Sequence, residues 1–198
     1  MSGLESQVND LGGREDALRD LMFARLGIHF SAMSDTSESR ADERLAWTLF
    51  ERGFLLEKEA CLNYATEASG VLSLSHKSDL LLSVFSKKMR LCPVLNVEIK
   101  YRSCVSDAFK ARAYDQMHLR RCYSSLLGLL VFVKPRTGGI SIRRARLISY
   151  PFDRFWTINE GDLSKESAWD ALFDIFENRM KDVAADPQID SLPIQAIE

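Results

Sequence analysis

Apolar residues recur along this chain in two rhythms, and the changes between them mark out its elements. Leu18, Leu21, Met22 and Leu26 fall near helical spacing, which predicts a helix over 14–26 behind Gly12-Gly13. A polar stretch, 31–40, follows it. Ser39, with Asp42 three residues on, reads as the capped start of a second helix that runs to Arg52 and closes at Gly53. Leu80–Phe85 and 95–101 read as strands, with Pro93 just ahead of the second. Phe109, Ala113, Leu119, Tyr123 and Leu126 line one side of a helix over 107–127 that ends at Gly128. A buried strand over 129–134, a turn over 135–139 and a further strand over 140–150 come next. The last helix spans 165–183, with Trp169, Leu172, Phe173, Phe176 and Met180 as its inner stripe. Helix, strands, helix, strands, helix predicts an α/β fold: a central mixed β-sheet flanked by helices, with an N-terminal helical arm. The expected organisation is an arm and linker over 1–38, a main domain over 39–184, and a loose tail over 185–198.

Composition narrows the classes. With 198 residues, 46% hydrophobic and 27% charged, the chain is long enough to bury a core and too apolar for disorder. Its longest apolar run, 126–133, has eight residues interrupted by Gly128, too short to span a membrane. The first 25 residues carry Glu5, Asp10, Glu15, Asp16 and Asp20 and no apolar stretch, so no secretory signal is expected there. Cys61, Cys92, Cys104 and Cys122 form no C-x-x-C pair and are expected as reduced thiols in a cytoplasmic protein. The net charge of −2 hides an asymmetry: between Lys100 and Arg146 eleven Lys and Arg face only Asp107 and Asp115. A basic block of this kind is either a phosphate-binding stripe or a solvated face with basic loops.

The chemistry concentrates near residue 98. In Val94-Leu95-Asn96-Val97-Glu98-Ile99-Lys100-Tyr101, strand alternation puts Glu98 and Lys100 on one face and Val97 and Ile99 on the other. Asp79 opens the preceding apolar strand. If the two strands are antiparallel neighbours, Asp79 and Glu98 converge on one hard cation, and Mg²⁺ takes one or two carboxylates with water and phosphate completing its shell. Glu43 shares a predicted helical stripe with Ala46, Trp47 and Phe50, and Gln116 lies between Ala113 and Leu119 on the apolar side of its helix. Each has a plainer role open to it: an exposed E-x-K is a solvated face, Asp79 a turn residue, Glu43 a first-turn acid favoured by the helix dipole, Gln116 a partner for a loop carbonyl. Other chemistries fit worse. His29, His76 and His118 are scattered, and neither a phosphate-binding glycine loop nor a G-x-S-x-G elbow occurs.

The succession Glu43-Arg44-Leu45-Ala46, Gly53-Phe54, Asp79 and Glu98-Ile99-Lys100-Tyr101-Arg102-Ser103 resembles the PD-(D/E)XK nuclease superfamily, in particular its Holliday-junction-resolvase-like and restriction-endonuclease-like members. The likeness covers about 39–135, with Ser78 in place of the eponymous proline and a long interval between Asp79 and Glu98. It implies a restriction-endonuclease-like core in 39–184 acting as a Mg²⁺-dependent endonuclease on DNA, with Mn²⁺ able to substitute. Asp79, Glu98 and the Ile99 carbonyl would bind the metal, with Glu43 touching it directly or through water. Lys100 would orient or activate the attacking water, and Gln116 would be accessory. The basic block would then supply nucleic-acid contacts through Arg102, Lys110, Arg112, Arg120, Arg121, Lys134, Arg136, Arg143, Arg144 and Arg146. The alternative is a catalytically inactive nuclease fold serving DNA binding or protein interaction. A homodimer, with the arm at its interface, would allow both strands to be cut.

Overall fold

A computed structural model of the chain describes residues 14–33, 40–41, 44–47, 53–65, 73–86, 91–102, 107–147, 149–186 and 189. Helix α1 (Glu15–Met33) precedes strands β1 (Arg40–Ala41), β2 (Arg44–Trp47), β3 (Phe54–Lys58), β4 (Cys61–Ala65), β5 (Ser73–Lys77), β6 (Leu80–Phe85) and β7 (Leu91–Tyr101). Helix α2 (Asp107–Cys122), β8 (Leu127–Lys134), α3 (Ile142–Leu147), β9 (Arg154–Asn159) and α4 (Asp170–Ala185) follow, with two 3₁₀ turns before α4. Seven strands make one sheet in the order β1-β2-β3-β6-β7-β8-β9, while β4 and β5 form a separate hairpin. Pairing is antiparallel up to β6–β7 and parallel for β7–β8 and β8–β9. The fold is therefore α/β, with a mixed sheet flanked by helices. No helix among the described residues is long and apolar enough to cross a membrane.

Each parallel step needs a crossover, and α2 and α3 supply them. β8 reads Leu-Gly-Leu-Leu-Val-Phe-Val because helices cover it on both sides. One face of the sheet packs on α1 and α4: Leu18, Met22, Leu26 and Phe30 meet Trp169, Leu172, Phe176 and Met180 over Leu95, Val97, Leu129 and Val131. The apolar stripe of α1 is thus used within this chain. The opposite face carries two smaller clusters, Leu62, Leu81, Leu119 and Leu126 under α2 and Leu130, Phe132 and Ala145 under α3. Pro93 lies inside β7, opposite Ser83, where the register shifts; a missing N–H is tolerated at such a bulge.

Two expected elements are corrected. The helix expected from Ser39 to Arg52 is replaced, where the chain is described, by β1 and β2, and Ala46 and Trp47 pair with Leu55 and Phe54. Gly53 caps no helix: its carbonyl accepts the Phe85 N–H, and a Cβ there would sit 3.2 Å from the Phe85 ring. A short apolar run such as Leu-Ala-Trp suits strand and helix alike, and here cross-strand pairing decides. The strand expected over 140–150 is the helix α3, because the Ser141 hydroxyl accepts the Arg144 N–H at 3.2 Å as an N-cap and Ala145 buries against the sheet. The strand instead comes at β9, where Trp156 and Ile158 alternate inward.

Candidate active site

The register of the β6–β7 hairpin builds the site. Leu80 pairs with Val97, so the next step along sets Asp79 beside Glu98 at the mouth of the hairpin. The Asp79 carboxylate accepts the Ile99 N–H at 2.7 Å, which holds it against β7. Alternation sends Glu98 and Lys100 to the face under α2, opposite Leu130 and Phe132 of β8. There Lys100 Nζ lies 2.8 Å from Glu98 Oε1, and Arg112 Nε of α2 lies 3.8 Å from the same oxygen.

Glu98 is only 2% exposed. Burial, then the Asp79 charge, push its carboxyl up to about 7, against the pull of Lys100 and Arg112. Burial likewise raises the Asp79 carboxyl, although the Ile99 N–H and Lys100 oppose it. Burial pulls the Lys100 ammonium down, but Glu98, Glu15 and Asp79 together hold it above its ordinary range. Buried Glu98 and half-buried Asp79, which repel each other, are a pair of hard-oxygen donors of the kind that can hold a divalent cation. Among the described residues no group of three or more His, Cys, Asp and Glu is assembled for a metal.

Of the residues expected from sequence, Asp79, Glu98 and Lys100 come together, whereas Glu43 lies outside the described residues. Gln116 is buried at the other end of the polar stripe. Its Oε1 accepts from Asn96 Nδ2 at 2.7 Å, two residues before Glu98. Gly128 makes room for it, since a Cβ there would fall 2.6 Å from the Gln116 amide. Among the basic residues, Arg112 faces inward and Arg120 pairs with Asp153 at 3.1 Å. Lys134 is half-buried, while Arg102, Lys110, Arg121, Arg136, Arg143, Arg144 and Arg146 are exposed. Arg102 has φ of 73° and lays its guanidinium over the Tyr101 ring.

Several neighbours went unread in the sequence. Glu15, in the first turn of α1, accepts from the Tyr101 N–H at 3.1 Å and approaches Lys100 Nζ at 3.3 Å. His76 of β5 is buried, with Nδ1 3.1 Å from Asp115 Oδ2 and Nε2 3.3 Å from Asn96 Nδ2. These partners fit a neutral ring that donates to Asp115 and accepts from Asn96, and burial lowers the pKa of His76. Arg112 Nη1 sits 3.3 Å from His76 Nδ1, so one arginine spans the His76–Asp115 pair and Glu98. Asn96 was legible as the next position of the alternation that carries Glu98 and Lys100. His76 was not, because its partners lie 20 to 39 residues away.

Among solved structures, the chain is similar to the MspJI restriction endonuclease in complex with a 27-mer oligonucleotide, with 15% identity and a TM-score of 0.34. That match covers 93% of this chain and 36% of the other, so this chain spans about a third of that protein's length. No protein-family model and no curated protein matches the sequence.

Proposed function

We propose that this chain is a metal-dependent nuclease of the PD-(D/E)XK type that hydrolyses phosphodiester bonds in DNA. The observation that carries the reading is Asp79 and Glu98 set side by side by one hairpin, with Lys100 Nζ 2.8 Å from Glu98. Asp79, Glu98 and the Ile99 carbonyl would hold Mg²⁺ or Mn²⁺. When bound, the ion supplies positive charge against the phosphoryl oxygen. Lys100 adds a half-buried positive charge where negative charge gathers in the transition state, and orients the attacking water. Glu15 and Glu98 hold its ammonium between them. The exposed arginines and lysines position the duplex through its phosphates.

The test incubates supercoiled and linear DNA with Mg²⁺, Mn²⁺ or EDTA, using the wild type and Lys100→Ala. Metal-dependent cleavage that falls about 100-fold or more in the variant supports the mechanism. Equal cleavage by both would indicate a contaminating nuclease. Calorimetric titration of Mg²⁺ into wild type and Asp79→Asn gives a readout apart from activity. A heat signal present only in the wild type is expected, and identical titrations would remove the metal assignment. Metal binding and DNA binding without cleavage would favour an inactive nuclease-fold module.

A further inference from the structure

Five large apolar side chains are exposed among the described residues, and four of them, Tyr114, Met117, Leu147 and Tyr150, lie on α2 or the α3 turn. This is the face that carries Glu98 and Lys100. The concentration is greatest at the end of α3 and in the turn that follows it, where Leu147 is 75% and Tyr150 74% exposed. Both follow directly on Arg143, Arg144 and Arg146, all exposed and without a carboxylate partner among the described residues. The segment is held in place. The Ser149 hydroxyl and N–H both donate to the Arg146 carbonyl, and the Phe152 N–H donates to the Ser149 carbonyl. Beneath it Ala145 packs on Leu130 and Phe132, the register partners of Glu98 and Lys100.

Arginines alone would suit the phosphates of any duplex, but an intact duplex offers an exposed tyrosine and leucine little to touch, since its base faces are stacked on one another. Unstacked bases do offer such a surface, and aromatic side chains beside arginines are the usual platform for them. Charge and apolar surface therefore point to the same occupant. We infer that the α3 turn binds DNA at unpaired bases, with Tyr150 and Leu147 against base faces and Arg143, Arg144 and Arg146 on the flanking phosphates. The inference rests on the nuclease reading and narrows it to single-stranded or branched substrates.

The experiment measures fluorescence anisotropy of a labelled oligonucleotide, alone or annealed to its complement, in EDTA so that nothing is cut. Tyr150→Ala should weaken single-strand binding about 5- to 100-fold, shift duplex binding less than about 2-fold, and be rescued in Tyr150→Phe. Arg144→Ala should weaken both forms and flatten the salt dependence. If the wild type binds DNA but Tyr150→Ala changes both forms equally, or neither, the inference fails and the nuclease reading stands. If the wild type binds neither form, both fail. Leu147→Ala, at an equally exposed position, serves as the second variant and should follow Tyr150→Ala more weakly.

Discussion

The two faces of β7 make the sharpest contrast in this molecule. Toward α1 and α4 the strand presents Leu95, Val97, Ile99 and Tyr101, all part of one apolar cluster. Toward α2 it presents Asn96, Glu98 and Lys100, and the buried polar residues His76, Ser83 and Gln116 gather on the same side. A single strand thus separates an apolar face from a polar, charged one by alternation alone. The apolar face needs only volume. The polar face needs a partner for every atom, and it falls short: Asn96 Oδ1 and Gln116 Nε2 are buried with none among the described residues. Such groups cost stability, a cost the apolar face of the same strand does not carry.

The contrast can be broken from the apolar side first. Phe176→Ala, at a fully buried position between α1 and the sheet, should cost about 3–5 kcal/mol, read by urea denaturation. On the polar side, Gly128→Ala should cost about 1–3 kcal/mol by driving a methyl into the Gln116 amide. Combining it with Gln116→Ala should recover part of that loss in a double-mutant cycle. A smaller effect is expected from His76. Its folded pKa lies below the unfolded value of 6.5, so its contribution to stability is complete above that pH and is lost as pH falls below it. Urea midpoints of wild type and His76→Gln should therefore diverge at neutral pH and draw together in acid. The least change is expected from Glu15→Gln. This partly exposed partner of Lys100 should alter stability by no more than about 1 kcal/mol, checked by the same denaturation curves.

Much of the apolar face was legible from sequence. β6 and β8 are continuous apolar runs, the core of β7 and the Trp169-to-Met180 stripe of α4 are periodic, and both patterns record burial. Asp79, Glu98 and Lys100 were legible for the same reason, since a hairpin register and an alternation bring them together. Helix and strand were exchanged only where runs were short. The Leu45-Ala46-Trp47 run became a strand by pairing with β3, and the Arg-rich segment after Ser141 became a helix by capping. The network around His76 could not be read locally. It joins β5, β7 and α2, and its members share no spacing.

Helix α1 has two duties that depend on one seating. Leu18, Met22, Leu26 and Phe30 close the core, while Glu15 at its leading end meets Lys100 and the Tyr101 backbone. A chain whose hydrophobic seal has not formed therefore lacks one of the anions beside Lys100. Closing the core and setting a charge beside Lys100 are thus one movement of a single helix.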